Sequence, residues 1–97
     1  MIEDIRARFL PRFVTTARQR LEKAQQQIAS GTPAASSIAA DLHTIAGEAS
    51  VMGLHDVAEM AREGERAARI IGGVDDSGIS MALYRLWRRL DELAPRS

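Results

Sequence analysis

Apolar residues recur along the chain at three- and four-residue steps, the spacing of one face of an α-helix. Three segments, at about 33–51, 54–71 and 78–93, carry such a stripe, and short breaks rich in Gly, Pro or Ser separate them. No stretch alternates apolar and polar positions with β-branched enrichment, so strands are not predicted. The stripe of the first segment, from about 2 to 29, consists of Ile2, Ile5, Phe9, Phe13, Ala17, Leu21, Ala24 and Ile28.

Pro11 interrupts the first stripe. Because proline lacks an N–H group and has a fixed φ, we expect a kink or a split near Leu10, with a short first helix and a longer second one. Short connections between helices favour antiparallel neighbours. The sequence therefore predicts an all-α fold, an antiparallel up-down four-helix bundle with a short extra N-terminal helix. Phe9, Phe13 and Trp87 lie on apolar stripes, so we expect them in its core.

Composition narrows the possible functions. A chain of 97 residues has the size of one domain, predicted to cover 1–97. The absence of cysteine excludes disulfides, thiolate metal sites and cysteine nucleophiles. Zero net charge and four aromatic residues argue against nucleic-acid binding. With no long apolar run and no apolar signal core, we expect no membrane association and a cytoplasmic location. The excess of Arg over Lys suggests a bacterial source.

His43 lies on the polar side of the segment at 33–51. At about 100° per residue, it points roughly 140° away from the apolar stripe, toward solvent. Glycine in a helix interior is about 1 kcal/mol less favourable than alanine, so a glycine here favours a face that a partner approaches closely. The alternative is a surface histidine without a role. The small residues around His43 are Ser36, Ala39, Ala40, Ala46, Gly47 and Ser50, of which Ala39, Ala46, Gly47 and Ser50 are the expected docking residues.

The segment that begins at His43 resembles the signature of histidine-containing phosphotransfer (HPt) domains, in which His43, Ile45, Gly47 and Gly53 match. Ala46 departs from it, because the family commonly has Lys there. The resemblance implies that His43 carries a phosphoryl group in a two-component phosphorelay. It also implies a receiver domain or a histidine kinase as the partner, with Mg²⁺ held by the receiver, and no cofactor in this chain. We expect the chain to be a monomer.

Residues at equal distances from a helical turn at Gly53 face each other, which places His43 beside roughly Glu63 to Glu65. Glu65 is the expected neighbour, because it lies within an otherwise apolar arc between Ala61 and Ala68. A carboxylate at the edge of a core needs a partner. Two alternatives remain open: the imidazole of His43, or Arg62 or Arg69 on the helix of Glu65 itself. The resemblance to HPt domains implies the imidazole, because the chemotaxis-kinase members of that family have a glutamate that hydrogen-bonds the histidine at the position of Glu65.

This pair would permit nucleophilic chemistry. A carboxylate that accepts the Nδ1 proton leaves Nε2 free to attack phosphorus. The chain has no glycine-rich phosphate loop, kinase signature or acidic cluster for Mg²⁺, so we expect a phosphoryl carrier that does not bind ATP. Whether it counts as an enzyme stays open. We choose Arg62 as the cation that compensates for Ala46, because an Arg fork can hold phosphate oxygens.

Other interpretations come from different classes of function. A helical interaction module could dock a receiver or kinase through the same face without phosphotransfer, which Ala46 in place of Lys favours. A metal or acid–base enzyme would need a convergent set of polar residues, which the sequence lacks. His55 could be a second acceptor or a metal ligand, and its alternative is a solvated residue in the first turn of a helix.

Overall fold

A computed structural model describes residues 2–30, 35–71 and 76–94 of the chain. The described part contains no strand, so the all-α prediction is confirmed. Residues 31–34, which include the predicted start of a segment at 33, and residues 72–75, in the predicted break after 71, lie outside the described residues. The four helices are α1 (Ile2–Ala29), α2 (Ala35–Val51), α3 (His55–Ile71) and α4 (Asp76–Leu93).

Helix α1 runs without a break through Pro11, so the predicted split and the short extra helix are wrong. Pro11 removes the hydrogen bond that the carbonyl of Ala7 would otherwise accept. Both residues are exposed, which leaves that carbonyl open to hydration. Phe13 and Val14, in the next turn, are buried in the core. Packing of the following turns thus outweighs the loss of one backbone hydrogen bond.

The helices pack as a ring. Helix α1 packs beside α2 and α4, and α3 also packs beside α2 and α4, while no Cα atoms of the diagonal pairs approach within 8 Å among the described residues. Helix α2 therefore has two packed neighbours, α1 and α3, which together bury a broad part of its surface. This position between two helices decides which of its side chains remain available for function.

One cluster of buried apolar side chains fills the ring, which provides the main favourable term in folding. Phe13 belongs to it and Trp87 packs against it half-buried, as predicted. Phe9 is 45% exposed, so its prediction as a core residue is wrong. The largest fully buried side chains are Leu21, Leu42, Ile45, Ile79, Leu83, Leu86, Leu90, Val14 and Val57.

The turn between α2 and α3 is closed by backbone hydrogen bonds at Gly53, which has a φ of 75°. The N–H of Leu54 donates to the carbonyl of Ala49 at 2.9 Å, and the N–H of Gly53 donates to that of Ser50 at 3.1 Å. These two bonds form a Schellman motif, in which the left-handed residue is usually glycine. The motif ends α2, and α3 begins at His55, two residues after Gly53.

Gly64 lies where α3 packs tightly against both of its neighbours. A Cβ atom added to it would lie 2.9 Å from Cδ1 of Leu42 on α2 and 3.4 Å from Cβ of Ala82 on α4. Gly47, on α2, has no atom within 4 Å of its added Cβ atom. The two helical glycines therefore differ in kind: Gly64 makes room for packing, whereas Gly47 leaves a surface bare.

We expect Gly64→Leu to lower the free energy of unfolding by about 1–3 kcal/mol or more, because the new side chain overlaps Leu42 and Ala82. The matched control Gly47→Leu makes the same substitution in open space. It is expected to raise that free energy by somewhat under about 1 kcal/mol through helix propensity. Urea denaturation of both variants measures the difference. Equal stability of the two variants would contradict the packing role of Gly64.

Candidate functional site

His43 lies near the middle of α2, and its side chain is 74% exposed. The outward direction expected from the helical spacing is therefore correct. An imidazole presented in this way is accessible to another protein without any opening of the bundle. Its neighbour in sequence, Leu42, is fully buried and holds this part of α2 against the core.

Glu65, on α3, contacts His43 across the interface of the two helices. The Nδ1 atom of His43 lies 3.3 Å from Oε1 and 3.2 Å from Oε2 of the carboxylate. The Nε–H group of Arg69, one turn further along α3, donates to Oε2 at 2.9 Å. Both partners that the sequence left open, the imidazole and an arginine on the same helix, are thus present, and that arginine is Arg69 rather than Arg62.

The surroundings of Glu65 favour its ionised form. Its side chain is only 15% exposed, and this burial alone would raise the pKa of the carboxyl group. Hydrogen bonds from Arg69 and His43, with the positive charges of those groups, outweigh burial and lower the pKa of Glu65 below its ordinary value. An ionised carboxylate can only accept hydrogen bonds, so this contact calls for a proton on Nδ1 of His43. In a neutral ring, Nε2 is then the unprotonated nitrogen.

Two of the expected docking residues are not on the surface. Ala39 and Ala46 are 1% and 3% exposed and belong to the core, so their assignment to an exposed face is wrong. At about 100° per residue, both lie within roughly 60° of Leu42, the centre of the buried arc. The arc is that broad because α2 packs against both α1 and α3. The missing Lys at Ala46 thus concerns a position whose Cβ atom is covered.

The other expected docking residues do reach the surface. Gly47 is exposed and Ser50 is half-buried. Arg62 extends from α3 to α2, as predicted, and its Nη2 atom donates to Oγ of Ser50 at 2.8 Å. Its Nη1 atom lies 3.9 Å from a carboxylate oxygen of Glu59. Ser50 is seven residues from His43, about 10 Å along the helix axis, so Arg62 stands at the rim of the site.

An open groove between α1 and α2 begins at His43 and has a volume of about 900 Å³. Much of its lining is apolar and comes from Phe9 and Phe13 on α1 and from Val51 and Met52 at the end of α2. Phe9 is 45% exposed and Val51 is 89% exposed. The sequence analysis missed this groove. The available signal was Val51, an apolar residue outside the buried stripe of its helix.

His55 does not join the site. It is exposed and is the first residue of α3, which agrees with the interpretation as a solvated first-turn residue. Within residues 2–30, 35–71 and 76–94, no group of three or more His, Asp and Glu residues is placed to hold a metal ion. Nothing in this part of the chain therefore favours His55 as a metal ligand.

The comparisons with known proteins agree with the resemblance seen at His43. The family model of the Hpt domain matches residues 8–94, nearly the whole chain. No curated protein and no solved structure matches this chain. Among the helices described, none combines the length and the apolar character that crossing a bilayer requires.

Proposed function

Because the chain belongs to the Hpt domain family, which acts in phosphotransfer within phosphorelay signalling, we propose that it carries a phosphoryl group on His43. The single observation behind this assignment is the exposed imidazole of His43 with its Nδ1 atom on the Glu65 carboxylate. We infer that a receiver domain or a histidine kinase places and removes the phosphoryl group. The Asp and Mg²⁺ that drive the exchange belong to the receiver.

The transfer step follows from the protonation of the imidazole. Nε2 of His43 attacks the phosphorus atom of the receiver's aspartyl phosphate, and the N–P bond forms as the bond between phosphorus and the aspartate oxygen breaks. The aspartate leaves as a carboxylate. The proton stays on Nδ1, so the phosphorylated ring carries a positive charge next to Glu65. Glu65 orients the ring before transfer and stabilises that charge afterwards.

The partner docks, in this proposal, on the surface that includes His43, Gly47 and the groove between α1 and α2. Gly47 presents no side chain, so a receiver's active site can approach the α2 backbone closely. Phe9 and Val51 offer exposed apolar area beside the acceptor. Arg62, held by Ser50, adds a positive charge at the rim toward an acidic partner.

We infer an up-down antiparallel topology for the bundle. Its support is the order of contacts between neighbouring helices, since Asp56 at the start of α3 pairs with Arg89 near the end of α4. Asp41 of α2 likewise pairs with Arg20 and Lys23 in the later part of α1. A single domain over 1–97, which works as a monomer in the cytoplasm beside its receiver, completes the proposal.

A second candidate is a docking module that binds a receiver or kinase without phosphotransfer. Ala46 favours it, because the position that commonly holds Lys in this family carries a buried alanine here. The two candidates share a surface and differ only at the chemical step. Phosphorylation of His43 therefore distinguishes them.

We expect His43→Gln to abolish phosphoryl acceptance while the fold stays intact. The substitution removes Nε2 at an exposed position, so the free energy of unfolding should change by only about 0.5 kcal/mol. The measurement incubates wild type and variant with a phosphorylated receiver and quantifies acid-labile, base-stable phosphate on the chain. His55→Gln is the matched control and should take label at the wild-type rate. Label on His43→Gln would contradict the proposal, and binding without label on wild type would favour the docking module.

We expect Gly47→Leu to slow phosphotransfer by about tenfold or more, because a leucine beside His43 displaces the approaching active site. The bundle should remain folded, since nothing lies within 4 Å of the added Cβ atom. Rapid-quench measurements of transfer test this expectation. Met81→Leu, an exposed change on α4, is the control. A folded Gly47→Leu variant with the wild-type rate would remove the steric argument for this surface.

We expect Arg62→Ala to weaken docking at low ionic strength by about twofold to fivefold, the size of an exposed charge interaction. The effect should fade as salt screens the charges. Titration of binding to the receiver at two salt concentrations measures it. Arg88→Ala removes an exposed cation from α4, which lies diagonally across the bundle from α2 in the described part of the chain, and should leave binding unchanged. Identical losses in both variants would show only a general effect of net charge.

A further inference from the structure

Arg69 is the closest partner of the Glu65 carboxylate. Its Nε–H group donates to Oε2 at 2.9 Å, whereas the two oxygens lie 3.2 and 3.3 Å from Nδ1 of His43. The two donors differ in origin, because Arg69 lies one turn after Glu65 on α3 and His43 approaches from α2. Glu65 precedes Arg69 by four residues, the favourable order for an ion pair on a helix. The carboxylate of Glu65 is therefore held mainly by a residue of its own helix, α3.

The side chains of His43, Glu65 and Arg69 differ in how much of each is exposed to solvent. Glu65 is 15% exposed, whereas Arg69 is 59% and His43 is 74% exposed. Two mainly solvated groups thus meet on a carboxylate that is largely withdrawn from water. The distances from Nδ1 to the two oxygens are nearly equal, so the contact with the imidazole does not by itself set the orientation of the carboxylate. The shorter contact, from the guanidinium of Arg69, is made to Oε2, so it distinguishes the two oxygens and restrains rotation of the carboxylate.

Removal of Arg69 would leave this carboxylate with the imidazole as its single described partner. A poorly paired carboxylate in a partly buried position gains by rotating toward water or by taking up a proton. Either change weakens its ability to accept the Nδ1 proton. The neutral ring would then populate more of the other tautomer, in which Nε2 carries the proton and cannot attack phosphorus.

We propose that Arg69 is a positioning residue for phosphotransfer: its guanidinium holds the Glu65 carboxylate in the orientation that accepts the Nδ1 proton of His43 and so keeps Nε2 free. This inference rests on the proposed function of His43. It gives the site a third member, on the same helix as Glu65, that does not touch the phosphoryl group. The ion pair acts through Glu65 on the protonation of the ring.

The test reads the tautomer directly. Full-length chain labelled with ¹⁵N at its histidines is studied by NMR over a pH series, and the spectra used are those in which the ring nitrogen shifts no longer change with pH. The Nδ1 and Nε2 shifts of His43 give the ratio of the two tautomers. His55 is an internal reference, because it is exposed and forms no hydrogen bond or ion pair with a carboxylate among the described side chains. The variants are Arg69→Ala, Arg69→Lys and Arg66→Ala, each also assayed for the rate of phosphotransfer from a phosphorylated receiver.

In wild type, the Nδ1–H tautomer of His43 should exceed that of His55. Arg69→Ala should lower the tautomer ratio of His43 and the transfer rate together, by about twofold to fivefold, as expected for one exposed ion pair. Arg69→Lys keeps a positive charge four residues after Glu65 and should restore most of both values. Arg66→Ala removes an exposed cation next to Glu65 in sequence and should leave both unchanged.

A wild-type tautomer ratio in Arg69→Ala would overturn the proposal, as would a changed ratio with an unchanged transfer rate. An equal effect of Arg66→Ala would also overturn it, because net charge alone would then explain the result. If Arg69→Ala proves unstable in urea denaturation, the comparison of Arg69→Lys with an Arg69→Gln variant decides instead. Failure of wild type to accept a phosphoryl group would contradict the proposed function separately, since the tautomer ratio needs no partner.

Discussion

The close packing of α2 against α3 is the constraint on which the site depends. Leu42 fills the space that Gly64 leaves open, where a Cβ atom would lie 2.9 Å from the leucine. His43 and Glu65 are the next residues in each helix, and their side chains meet at the surface beside this buried contact. The same interface thus buries an apolar side chain on its inner side and holds a polar pair on its outer side. Any change that moves the helices apart acts on both.

Helical periodicity predicted most of the fold and the principal pair of the site. The spacing of apolar residues placed three helices within about two residues of their observed limits and put His43 outside. Counting from the turn at Gly53 placed His43 beside Glu63 to Glu65, and the position of Glu65 in an apolar arc selected the residue that makes the contact. These successes share a physical basis, because they depend on local geometry and on distances counted from a turn. Tertiary packing decided the rest.

The failures come from residues whose burial depends on how many neighbours a helix has. Alanine fits both a core and a smooth surface, so Ala39 and Ala46 could not be assigned until the second neighbour of α2 was known. Phe9 shares the stripe of Phe13, yet it lies at the edge of the ring and remains half outside. Pro11 is tolerated because it faces solvent. In each case periodicity gives the side of the helix on which a residue lies, and only the packing of the neighbouring helices decides whether that side is buried.

The Schellman turn at Gly53 has a consequence for how the site is assembled during folding. His43 and Glu65 are 22 residues apart, and Arg69 follows in the same helical hairpin. A contact between residues 22 apart costs somewhat less loop-closure entropy than one across a longer loop, and the cost grows only slowly with length. The chemical part of the site therefore lies within a single helical hairpin, formed by α2 and α3. The groove needs Phe9 and Phe13, so it also requires α1 to pack against this hairpin. The hairpin alone therefore contains the groups that react, whereas the surface that recognises a partner is complete only once α1 is in place.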